Sequence, residues 1–107
     1  MTKALEKRIP KIYSQENKGM DAIAYVHYFN PYGRGDWYVT EYDGKDLFFG
    51  MVGLNYIELG YFTLSELEDI RINIFGYNMK IERDIYFTPK KLSEVREILI
   101  RKGYSDI

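Results

Sequence analysis

Trp37-Tyr38-Val39-Thr40-Glu41-Tyr42-Asp43-Gly44-Lys45-Asp46-Leu47-Phe48-Phe49-Gly50 is two aromatic-rich runs separated by an Asp-Gly pair. Aromatic and β-branched residues suit a pleated, half-buried surface. Asp-Gly suits a two-residue hairpin turn, because both residues can take positive φ. The stretch predicts strands at 37–42 and 45–52 with the turn at Asp43-Gly44. That turn sets Tyr42 opposite Lys45, Glu41 opposite Asp46, Val39 opposite Phe48, Tyr38 opposite Phe49 and Trp37 opposite Gly50. Alternation then places Trp37, Val39 and Phe48 on a core face that ends in Glu41 and Asp46. Tyr38, Thr40, Tyr42, Leu47 and Phe49 fall on the other face, which reads as half wet.

Outward from this hairpin, residues 23–29 read as a strand and 30–36, with its Pro and two Gly, as a loop. Residues 56–62 read as a fourth strand, with Gly60 a bulge. Thr63 and Glu66 form a capping box, and Phe62 with Leu67 the matching staple, for a helix from Leu64 to about Arg71. Residues 72–80 read as irregular and 81–87 as a fifth strand. Thr88-Pro89 opens a second helix whose stripe is Leu92, Val95, Ile98 and Leu99, and Gly103 stops it. The fold class is α+β: an antiparallel β-meander of four to five strands with two helices packed on one face. Residues 1–107 form a single domain, and 1–12 read as a mobile lead-in or a short helix.

The chain of 107 residues has room for one core and no deep enclosed cavity. It has no cysteine, which excludes disulfides, thiolate metal sites and cysteine nucleophiles. No apolar stretch follows the N-terminal charges and no run is long enough to span a bilayer, so a cytoplasmic address is expected. Net charge is −1, but residues 13–87 carry −6 while both ends are basic. An acidic body disfavours broad phosphate binding.

Chemistry-bearing groups are few. His27, the only histidine, reads as a strand residue bonded to a neighbour; no second histidine exists for a metal pair. Glu41, Asp46 and Glu58 fall on or beside strands and are the candidates for a divalent-metal hydrolase or nuclease. No motif calls for a cofactor. Eleven Tyr exceed what a small core easily satisfies, because each buried hydroxyl needs a partner. Exposed Tyr beside Arg is the composition of a protein-binding hot spot. The candidate binding residues are therefore Tyr32, Arg34, Asp36, Tyr38 and Tyr42. Stacking on single-stranded nucleic acid is the rival use of the same rings, and it needs a basic groove.

The blocks W-Y-V-T-E-Y-D-G from Trp37, F-F-G at Phe48, E-L-G-Y-F at Glu58, L-S-E-L-E at Leu64, I-E-R-D at Ile81 and P-K-K-L-S-E-V at Pro89 occur in one order. Over residues 10–95 the chain resembles an uncharacterised family of small bacterial proteins carried by plasmids, phages and integrative conjugative elements. The resemblance implies a mobile-element context and no reaction. Together these features point to a non-enzymatic accessory protein that binds a host or element-encoded protein, with interference in host defence as a use.

Overall fold

The computed structural model describes residues 1–106. Helix α1 (Lys3–Arg8) is capped by Thr2, whose hydroxyl accepts the Leu5 N–H. A 3₁₀ segment (Glu16–Asp21) leads to β1 (Ile23–Ala24) and β2 (Val26–Phe29). Then follow β3 (Asp36–Tyr42), β4 (Leu47–Gly53), β5 (Tyr56–Thr63) and α2 (Leu64–Asp69). The rest is β6 (Arg71–Ile74), β7 (Tyr77–Lys80), β8 (Glu82–Arg83), β9 (Lys90–Lys91), α3 (Leu92–Arg101) and β10 (Ser105–Asp106).

The α+β class holds, but the sheet is larger than a four- to five-stranded meander and is mixed. Its six strands run β10-β5-β4-β3-β2-β8, and β10 pairs with β5 in parallel. Two small sheets stand apart, β1 with β9 and β6 with β7. Residues 23–29 are not one strand: the chain breaks at Tyr25, so that β1 pairs with β9 while β2 pairs with β3. Residues 72–80 are not irregular: they lie in the β6–β7 hairpin. Of 81–87, only Glu82–Arg83 is strand.

The helices lie on both faces of the sheet, not on one. Leu67 of α2 and Ile9, just after α1, pack with Trp37, Val39, Tyr42, Phe48 and Phe62. Leu92, Val95 and Leu99 of α3 pack with Tyr38, Met51 and Ile57 on the opposite face. Two cores therefore replace the single one expected, and β3 between them is buried at all seven residues. Thr63 caps α2 as expected, accepting the Glu66 N–H at 3.1 Å. For α3 the cap residue is Lys91 rather than Thr88, because β9 intervenes.

The register of the central hairpin differs from expectation for two reasons. Asp43 is a side-chain anchor: its Oδ1 accepts the N–H groups of Lys45, Asp46 and Leu47 at 2.8–3.0 Å. This stabilises a longer loop, and the first ladder pair is Tyr42 with Phe48. A bulge between Val39 and Glu41 then shifts the register again, giving Val39 with Gly50, Tyr38 with Met51 and Trp37 with Val52. An extra residue in one strand reverses the facing of all that follows. Hence Tyr42 joins Trp37 and Val39 in one core, while Glu41 turns to the side of Tyr38 and pairs with Phe49. Gly50 is needed opposite the bulge, since a Cβ there would meet the Tyr38 carbonyl oxygen at 1.7 Å. No helix among the described residues is long and apolar enough to cross a membrane.

Candidate functional site

The loop between β2 and β3 is built by Asn30. Its backbone N–H donates to the Gly35 carbonyl at 2.9 Å, its Oδ1 accepts the Tyr32 N–H at 2.8 Å, and its Nδ2 donates to the Arg34 carbonyl at 3.1 Å. Gly35 sits at φ +138° against the Trp37 ring, where a side chain has neither the backbone freedom nor the room. Tyr32 stays 42% exposed at the loop tip. Arg34 is also exposed, but its Nε donates to the Leu54 carbonyl and its guanidinium lies 4.4 Å from the centre of the Tyr104 ring.

Asp36 closes this loop from beneath. Its Oδ1 lies 2.7 Å from His27 Nε2 and accepts from Lys102 Nζ at 2.9 Å; its Oδ2 accepts from the Tyr104 hydroxyl at 2.8 Å. That hydroxyl in turn accepts the Gly35 N–H at 2.7 Å. Burial alone would raise the Asp36 pKa, but hydrogen bonds from His27, Lys102 and Tyr104 outweigh it and hold the carboxyl below its ordinary value. The His27 ring stacks on Tyr38 at 4.1 Å and sets Nδ1 3.3 Å from Asp84 Oδ2. Both oxygens of Asp36 are engaged, and each ring nitrogen of His27 faces a carboxylate. The arrangement ties β2, β3, the loop and the end of α3 together, and its groups are occupied with one another.

The expected wet face carrying Tyr38 and Tyr42 does not exist. Tyr38 is 2% exposed beneath α3 and Tyr42 is 5% exposed in the opposite core. Burial, then the charges of Asp36 and Asp84, pushes the Tyr38 hydroxyl pKa up. Asp36, also expected on the surface, is buried. Of the five candidate binding residues, only Tyr32 and Arg34 reach solvent. The carboxylates of the metal reading are not brought together either. The longer loop anchored by Asp43 sets Glu41 opposite Phe49 and leaves Asp46 outside the strand, where its Oδ1 accepts the Ser65 N–H at the start of α2. Glu58 pairs with Val52 on β4, and no group of three or more metal-ligating side chains forms among the described residues.

Two surface features were not legible in the sequence. The first is a cleft of about 200 Å³ between the 3₁₀ segment and the sheet, walled by Tyr13, Phe49, Leu59 and Tyr61 over Glu41. Glu41 is 3% exposed; its two oxygens accept the backbone N–H groups of Tyr13 (2.9 Å) and Gln15 (2.8 Å). Tyr13 is held at φ +73°, uncommon for a residue with a side chain. Gln15 pins the segment by donating to the Ile23 and Thr40 carbonyls and accepting the Ile23 N–H. Phe49 and Tyr61 meet edge to face at 4.9 Å, as their cross-strand pairing dictates.

The second is the tip of the β6–β7 hairpin. Ile74 pairs with Tyr77, leaving Phe75 and Gly76 as a two-residue turn with φ +52° and +87°. Asn73 Oδ1 steadies it by accepting the Gly76 N–H. Such a turn favours Asn or Gly at its first position. Here it carries Phe75, whose side chain has almost no cover: the residue is 97% exposed, with exposed Tyr77 beside it. A lone Gly76 without Asn before it gave weak turn chemistry, which hid the hairpin from sequence reasoning.

The model of a family described as "Protein of unknown function (DUF2958)" matches residues 1–103. No curated protein and no solved structure matches the chain.

Proposed function

We propose that this chain, which belongs to the DUF2958 family of proteins of unknown function, is a non-enzymatic module that grips a protein partner with the tip of the β6–β7 hairpin. The observation that carries this reading is Phe75, 97% exposed at φ +52°. Left-handed backbone costs a residue with a side chain about 1–2 kcal/mol. The ring itself offsets none of that cost, since it touches water. A partner pocket that takes the ring would gain about 1.5–3 kcal/mol of apolar burial. Strain and exposure on one aromatic residue mark a contact held ready for another molecule.

Arg71 and Lys80, paired at the hairpin base, are the only charged residues on its two strands. The fitting partner surface is an apolar pocket with an acidic rim. Tyr32 and Arg34 are candidate secondary contacts; Asp36, Tyr38 and Tyr42 serve the fold. The mobile-element context that the resemblance implies would suit a host or element-encoded protein as partner, and the acidic body would suit interference with host defence as the use.

Phe75→Asn tests this reading, because Asn suits the turn better than Phe. The variant should melt at the same temperature or higher, yet lose capture of a partner from host lysate. Capture that survives the substitution, or its absence with the unaltered protein, refutes the proposal.

A further inference from the structure

We propose that the cleft between the 3₁₀ segment and the sheet is a binding site for an alkylammonium group, with Glu41 as its counter-charge and Tyr13, Phe49 and Tyr61 as its walls. Three observations converge. First, the Glu41 carboxylate is 97% buried and takes two backbone N–H groups, but no Lys or Arg lies within ion-pair distance among the described residues. Buried charges are ordinarily paired. Second, the lining contains a second carboxylate, Glu16, and no cationic side chain. Third, three aromatic rings border the same space, and aromatic faces attract cations.

The neighbouring Tyr13 hydroxyl, then desolvation, then the charges of Glu41 and Glu16, push the Tyr61 hydroxyl pKa up. A cation entering the cleft meets carboxylates below and ring faces beside it. The cleft, about 200 Å³, is smaller than the roughly 300–1,000 Å³ of drug-sized sites. That suits one alkylammonium head and a few methylenes. The strained backbone of Tyr13 is what brings both its N–H and its ring to the site. Neutral apolar ligands would fill the volume but bring no counter-charge to the carboxylate. The ligand class is thus a lysine side chain, methylated or not, or a small free alkylammonium such as a quaternary ammonium.

The test is titration of the intact protein, followed by NMR shifts, with choline, trimethyllysine amide, lysine amide and 3,3-dimethylbutanol, the neutral isostere of choline. At least one of the three cations should bind at least tenfold more tightly than the isostere. Binding of choline as tight as that of the lysine amides assigns the site to small amines; binding of the lysine amides alone assigns it to a protein side chain. Glu41→Gln should weaken cation binding at least tenfold. Because that change could disturb the 13–15 segment, Tyr61→Leu is the second variant: it keeps an apolar wall and should weaken binding about three- to thirtyfold. Equal binding of the isostere, full binding by either variant, or no cation bound at millimolar concentration overturns the proposal.

Discussion

Replacing Asp36 by Asn keeps the shape of the side chain and removes its charge, which isolates what the carboxylate does for the fold. In the native protein it receives His27 at 2.7 Å, Lys102 at 2.9 Å and Tyr104 at 2.8 Å. Hydrogen bonds to a charged group contribute about 1.5–3 kcal/mol each. Lys102 is half exposed, so its share is reduced to the 0–1 kcal/mol of a surface pair. The buried His27 and Tyr104 contacts carry the rest. An Asn amide must also turn its own N–H groups toward one of these donors. The expected loss is about 3–5 kcal/mol, the range for breaking a buried pair. A chain of this length holds about 5–15 kcal/mol in all. With a urea slope near 2 kcal/mol per molar, the midpoint should fall by about 2 M. The pH dependence gives an independent check. The Asp36 pKa is depressed, so its stabilisation is complete above the ordinary carboxyl value of 3.8 and is lost as pH falls through the lowered value. The native protein should therefore lose stability below about pH 4 more steeply than the variant. A loss under about 1 kcal/mol, or acid limbs of equal slope, would refute the account of Asp36 as the tie between loop, sheet and α3.

Gly50→Ala should cost about 3–5 kcal/mol by urea unfolding, because its Cβ would sit 1.7 Å from the Tyr38 carbonyl oxygen, whereas Gly60→Ala, with open space around it, should stay within about 1 kcal/mol; equal effects would mean the bulge does not impose this close approach. The Tyr28 hydroxyl is buried with no hydrogen-bond partner among the described residues, and burial pushes its pKa up to about 12. Tyr28→Phe should therefore gain about 1 kcal/mol at neutral pH. A raised phenol pKa means stability present below pH 10 and lost between 10 and 12. The variant should lose less over that interval in thermal melts, and a destabilised variant at pH 7 would show the hydroxyl to be paired.

The sequence was most legible where one short-range rule decides the structure. Thr63 with Glu66 marked α2, and the stripe of α3 marked the residues that its core buries, Leu92, Val95 and Leu99. Trp37, Val39 and Phe48 do share a core face. What failed was anything set by an extra residue or a distant partner. Asp43 binds three amides through its side chain, which lengthens a loop that Asp-Gly chemistry would make short. The bulge near Thr40 leaves no pattern in composition, yet it sends Tyr42 inward with Trp37 and aims Glu41 at the cleft. Period-two alternation holds only along an unbroken ladder, and one unpaired residue defeats it. The covering of Tyr38 by α3 was hidden for another reason: a tyrosine beneath a helix and a tyrosine in water look alike until the two elements are placed together. Nor could local pattern show that His27, Asp36, Asp84 and Lys102 converge, since their contacts span 9–66 positions along the chain.

A strand hemmed on both flanks by neighbours and on both sides by helices leaves little latitude for substitution. Every side chain of β3 answers to one layer or the other, and its polar members, Asp36, Thr40 and Glu41, all have engaged oxygens. Change in this protein is thereby channelled outward, to the hairpin tip, the loop at Tyr32 and the rim of the cleft. Such a molecule can revise what it touches without renegotiating how it stands.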